Sequence, residues 1–304
     1  MNAYDFSVNY LAALVFLQGG NPYDGIPYRY PMGMMPIWAV MALFGRDAMP
    51  LMFILWGVFN VGLLVWAFKT RFWQWIFYFP VIHELSSGQI ELILWTMASK
   101  VRSGWSGAFL ASFISLKPQS AIILLPYHLW GWLRRDRATL WKFPLACLVV
   151  WGWPFLIYPN WFNDWMAGLS VTSAPPIYSA ANTTGFFSIL RVLGVPLYPP
   201  YDAATLLPVV LLAGLGLLTL LWALCQDDEA MTRAAALLAN PLGLIYTQLT
   251  LMNGAPWWLL VPLSWAALFA SLSMGHFVPY MSVPLAILAW GWWRKRRLMP
   301  AAAA

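Results

Sequence analysis

The sequence predicts an all-α fold, a polytopic bundle of helices that crosses a membrane several times. Three observations carry this. Of the 304 residues, 61% are hydrophobic and only 9% charged, far from the composition of a soluble globular domain, and the mean hydropathy of +0.66 agrees. The apolar residues come in runs separated by short clusters of Lys and Arg, the pattern of cytoplasmic loops under the positive-inside rule. The 21 Trp and 13 Tyr suit interfacial belts, where an amphipathic ring sits at headgroup level. The net charge of +6 lies in the clusters between runs and not on an aromatic-interleaved face, so membrane lipids are expected partners and nucleic acid is not.

Taken in order, the chain opens with a segment that spanning a bilayer does not explain. Asp5 starts an amphipathic helix pattern with Phe6, Tyr10, Ala13, Leu14 and Leu17 on its apolar side, and Gly19 and Gly20 end it. Asn21, Pro22, Tyr23, Asp24 and Gly25 make a turn, and Tyr28, Arg29, Tyr30 and Pro31 lead into the next apolar run. Met49 to Phe68 is a full span, closed by Lys69 and Arg71. Phe72 to Ser99 is interrupted by HELSSGQIE, and Trp105 to Trp132 by Lys117 and Pro118, where proline removes a helix hydrogen bond. Each is expected to be a short re-entrant helix pair. Broken helices expose backbone groups, so two such pairs imply a cavity.

Phe143 to Tyr158 is expected to cross outward, residues 159–204 to form a long polar extracytoplasmic loop, and Thr205 to Cys225 to return. Asp227, Asp228 and Glu229 then read as acidic cytoplasmic residues. Three runs remain, Ala234 to Met252, Trp257 to Met274 and Phe277 to Trp293, before the basic cluster Arg294 to Arg297. Three full crossings would leave that cluster outside, so either one run is re-entrant, with Pro241 as its break, or the tail is an exception. The whole of 1–304 is read as one integral-membrane domain, with no signal peptide expected. Cys147 and Cys225 read as small buried hydrophobes, and neither a disulfide, a metal site nor a cofactor is called for.

The acid at Asp5, the helix with small residues, the run GGNPYD and the YRYP entry into a membrane helix resemble the first loop of GT-C glycosyltransferases, most closely glycosyltransferase family 87. The short paired helices, the K-P-Q element at Lys117 to Gln119, the stretch NTTGFFSILRVLG and Asn240-Pro241 add to the likeness. The resemblance implies a GT-C-like bundle whose first loop, 1–31, and second loop, 159–204, face the extracytoplasmic side of the cytoplasmic membrane. It implies a polyprenyl-phosphate sugar as donor, a lipid or glycan hydroxyl as acceptor, and transfer of a hexose, mannose being favoured. In the family a membrane helix precedes the catalytic acid. Only four residues precede Asp5, so a missing first span or a misassigned start is expected.

Transfer to a hydroxyl needs a general base near the acceptor and positive charge near the leaving phosphate. By resemblance Asp5 is the base, although Asp also favours the N-cap of its own helix. Asp24 is a binding residue or a turn residue. Lys117, an intramembrane cation, is functional by default. It faces the donor phosphate, snorkels to the interface, or pairs with Glu84 or Glu91. Gln89 and Glu91 are expected to line the cavity, with Glu91 standing where the family has Asn, and Gln119 is by resemblance a substrate-binding residue beside Lys117. Arg191 holds a phosphate or is simply solvated. Tyr246 stands where relatives carry a His, so no His partner for the acid is supported there. His83 and Glu84 read as interfacial helix ends. Two other readings stay open: a transporter or lipid-carrier protein, and an inactive scaffold of a polymer-assembly complex.

Overall fold

The computed structural model describes residues 4–172, 183–196 and 202–298. They are helical with turns, and contain no strand among the described residues. Helix α1 (Tyr4–Leu17) and α2 (Met35–Ala42) flank the first loop, and α3 (Met49–Phe68) coincides with the first expected span. Helices α4 (Phe72–Ile76), α5 (Phe79–Ser87) and α6 (Glu91–Ala98) realise the first broken run. Helices α7 (Trp105–Ser115), α8 (Pro118–Leu124) and α9 (Pro126–Arg135) realise the second, with an additional break before Pro126. They are followed by α10 (Arg137–Gly152), α11 (Trp161–Thr172), α12 (Ile189–Val192), α13 (Ala203–Cys225), α14 (Glu229–Ala239), α15 (Trp257–Met274) and α16 (Ser282–Leu298). Among the described residues, four helical stretches are long and apolar enough to cross a membrane: Arg46–Ile76, Arg137–Leu156, Ala204–Cys225 and Trp257–Met274.

The chain divides into two compact units. The first comprises Met1–Trp73, Val81–Ala121 and Gly131–Pro175, the second Gln74–Pro80, Ile122–Trp130 and Pro176–Ala304.

In the first unit, α3 buries one stripe, Met52, Trp56, Asn60 and Leu64, at four-residue spacing. Its other faces expose Ile54, Val58 and Phe59, as a helix beside lipid does. Helix α10 starts six residues before the expected Phe143. Asp136 caps it, accepting from the Thr139 amide at 3.1 Å and the Thr139 hydroxyl at 2.6 Å, and so draws Arg137 to Lys142 into the helix.

A larger correction concerns residues 159–204. The stretch is not loop throughout, because Trp161 and Trp165, one helical turn apart, bury at 1% and 8% exposure and stabilise α11. Helix α11 packs on the first loop: Trp165 Nε1 donates to the Arg29 carbonyl at 2.9 Å, and a Cβ on Gly168 would lie 3.8 Å from Tyr23 Cβ. Within this unit α11 therefore lies against the first loop. Residues 173–182, including Asn182 of the NTTG stretch, lie outside the described residues.

In the second unit, α14 is enclosed: Ala230 to Leu238 are all buried. Gly216 of α13 and Gly291 of α16 permit the close approach, since a Cβ on either would fall 2.8 Å from Ala239 Cα or 2.5 Å from Met231 Cγ. Asn240 and Pro241 end α14, and a 3-10 helix, Ile245–Met252, runs back beside it. Arg233 donates to the Thr250 carbonyl at 3.1 Å, and Asn253 Nδ2 donates to Glu229 Oε1 at 3.1 Å. The segment thus folds back at Pro241, and its two ends, Glu229 and Asn253, lie together. Arg294 of α16 bonds Asp228 beside that same point. Asp228 is buried and caps α14, and Glu229 pairs with Arg233.

The cysteines also differ from expectation: Cys225 is exposed on α13, and Cys147 is half-buried with its Sγ 3.4 Å from Ser112 Oγ.

Candidate functional site

The first unit collects most of the chemistry-bearing residues at its helix breaks. Gly88 ends α5 with φ +73, a conformation that costs a side chain about 1–2 kcal/mol, and a Cβ there would stand 2.5 Å from Phe6 Cβ. Phe6 therefore locks the first turn of α1 onto the α5–α6 break. Asp5, the residue before Phe6, is half-buried in that first turn. Its carboxylate lies within electrostatic reach of the His83 imidazole on α5. Asp5 belongs to the helix as described from Tyr4, where a carboxylate favours the N-terminal dipole.

Beyond the break, one buried network joins three segments. Tyr30 of the first loop donates its hydroxyl to Gln89 Oε1 at 2.7 Å, and Lys117 Nζ donates to the same oxygen at 3.0 Å. Lys117 also pairs with Glu91 at 2.6 Å, and Ser120 Oγ donates to Glu91 Oε1 at 2.7 Å. Lys117 Nζ further lies 5.3 Å from the centre of the Tyr30 ring. Lys117 and Glu91 are 1% and 0% exposed, so the ammonium neither snorkels nor faces lipid. Because Glu91 already holds it, a phosphate at Lys117 has to compete with a carboxylate at contact distance.

Glu84 completes the cluster. It is 1% exposed, which corrects its reading as an interfacial helix end, and its Oε1 accepts from the Leu92 amide at 3.1 Å. The second oxygens of Glu84 and Glu91 have no hydrogen-bond partner among the described residues. Chemically, the break gathers two buried acids and one cation held by Glu91 and Gln89, all closed to the surface.

The structure therefore brings together Gln89, Glu91 and Lys117, places Asp5 at the same break through Phe6, and adds Tyr30, Glu84, His83 and Ser120. Gln119 is half-buried beside Lys117 on the chain, whereas Asp24 is exposed in its turn. Arg191 and Tyr246 belong to the second unit. There Arg191 is exposed on α12 and Tyr246 is buried in the 3-10 helix after Pro241. In that unit the NTTG stretch also finds its partner: Thr184 N donates to the Gly243 carbonyl at 2.8 Å, and a Cβ on Gly185 would meet the Leu237 carbonyl at 2.5 Å. A signal for Glu84 was present in the sequence, a carboxylate inside an apolar run. Nothing in the sequence singled out Ser120. Compared with family models, curated proteins and solved structures, the chain matches none.

Proposed function

We propose that the protein is a membrane glycosyltransferase of the GT-C type, in the cytoplasmic membrane, that moves a hexose, mannose favoured, from a polyprenyl-phosphate donor to a lipid or glycan hydroxyl at the outer face. In this reading Asp5 takes the proton from the acceptor hydroxyl, the hydroxyl oxygen bonds to the sugar C1, and the C1–O bond breaks with its electron pair leaving on polyprenyl phosphate. The observation that supports it is the docking of α1 at the α5–α6 break through Phe6 and Gly88, with the Asp5 carboxylate within electrostatic reach of His83. An apolar cavity of about 280 Å³ adds support. It is lined by Phe16, Leu17, Met35, Pro36 and Val40, among others. It starts at the far end of the helix that bears Asp5, about 16 Å along the helix, a distance a lipid-linked donor spans.

The buried Lys117–Glu91 pair and the broken helices also favour a transporter, in which such groups line a substrate path. One substitution separates the readings. Asp5→Asn keeps size and much of the hydrogen bonding but loses basicity, so purified protein in detergent should keep its melting behaviour and lose about 10²-fold or more in transfer from a polyprenyl-phosphate hexose. Unchanged transfer would remove Asp5 as the base; no transfer by either protein, with binding intact, would favour the transporter.

A further inference from the structure

Three helix ends of the second unit meet at one level. The membrane-length helix α13 stops at Cys225, Asp228 three residues later bonds Arg294 near the end of α16, and Glu229 bonds Asn253 just before α15 begins. That level is where a membrane-crossing helix leaves the apolar layer. Trp257, Trp258, Trp292 and Trp293 are all exposed there, at 38%, 58%, 43% and 48%. Over two of these rings lie guanidinium groups: Arg296 at 3.9 Å from the centre of Trp292, and Arg297 at 4.2 Å from the centre of Trp293. Both arginines are exposed, and among the described residues neither forms an ion pair.

We propose that Arg296 and Arg297, held over Trp292 and Trp293, bind the headgroup phosphate of anionic phospholipids. Stacking fixes each guanidinium by its face and leaves its N–H edge directed away from the ring, the edge that grips phosphate oxygens in pairs. Holding the cation in place in advance also lowers the ordering cost of binding. Arg233 and Arg294 are matched by Glu229 and Asp228, so among the described residues the stacked pair supplies charge that no carboxylate pairs with. The exposed indoles alongside favour a lipid over free phosphate, since they need acyl chain and headgroup at once.

The full-length protein in neutral detergent, titrated with phosphatidylglycerol and, separately, phosphatidylcholine, tests this by native mass spectrometry. Phosphatidylglycerol should bind preferentially, and the double variant Arg296→Gln/Arg297→Gln should lose about fivefold per arginine, about twenty-five-fold in all. Equal binding of both lipids, wild-type affinity in the double variant, or competition by millimolar inorganic phosphate as strong as by lipid would each overturn it. If the Gln variant yields no folded protein, Arg296→Lys/Arg297→Lys decides. That pair keeps charge but loses the fork and the stack, and should still weaken phosphatidylglycerol several-fold; no loss would overturn the proposal.

Discussion

Lys117 and Glu91 form an ion pair at 2.6 Å in which neither side chain is more than 1% exposed. Removing one partner leaves the other charge buried and alone, at a cost of about 3–5 kcal/mol, whereas replacing both by apolar groups of similar size is often neutral. Lys117→Met should therefore destabilise strongly in denaturant titrations of the detergent-solubilised protein. Lys117→Met/Glu91→Leu should recover most of the loss. A double variant as unstable as the single would mean that the hydrogen bonds from Tyr30 and Ser120, and not the ion pair, hold the site.

Gly88 and Gly19 give a matched comparison, because both have positive φ, +73 and +79, but only Gly88 has Phe6 against it. Ala at Gly19 should cost backbone strain alone, about 1 kcal/mol. Ala at Gly88 adds a clash with a side chain anchored on its own backbone, so it should cost a further 1–3 kcal/mol or so and displace α1. Equal thermal shifts for the two variants would show that α1 is not locked to the break.

Asp136 predicts a pH dependence. Hydrogen bonds from the Thr139 hydroxyl, then from Ser103 and the Thr139 amide, hold its carboxyl below the ordinary range. A carboxyl with a depressed folded-state value contributes stability that is complete above its unfolded value and is lost as pH falls through the folded one. Wild type should thus melt above Asp136→Ala at neutral pH, and the gap should narrow as the solution is acidified below the usual carboxylate range. A gap that stays constant down to strongly acid pH would assign the cap's effect to something other than its charge.

The levels within the second unit predict labelling. With Cys147 and Cys225 replaced, single cysteines at Gln226 and Arg297 should react with an impermeant maleimide from the same side of the membrane, and one at Ser273 from the opposite side. Labelling of Arg297→Cys together with Ser273→Cys would break the re-entrant assignment of Glu229 to Asn253.

The long uniform helices were legible in the sequence to the residue: α3 and α15 match the expected runs, because apolar stretches bounded by Lys69 or Gly275 leave little choice of ends. The breaks at Gly88 and Pro118 were legible for the same local reason, a residue that cannot continue a helix. What local reading missed depends on partners distant in sequence. Helix α11 looks like loop until Trp161 and Trp165 find a surface to cover, and Glu84 looks interfacial until α6 folds back to offer the Leu92 amide. The pairing of the acids after α13 was not legible because their cations, Arg233 and Arg294, come later in the chain, the second 66 residues beyond Asp228.

That last separation bears on how the protein is made. Helix α14 carries Glu229 and Arg233 in 11 residues, too short and too polar to enter the lipid unaided. Everything that shields it on the α16 side emerges from the ribosome only after α15 has been synthesised. Residues 229–253 therefore gain their cover on that side only once the two later helices have been made. Chains halted at Met274 should leave this segment open to protease, and chains carried through Leu298 should close it.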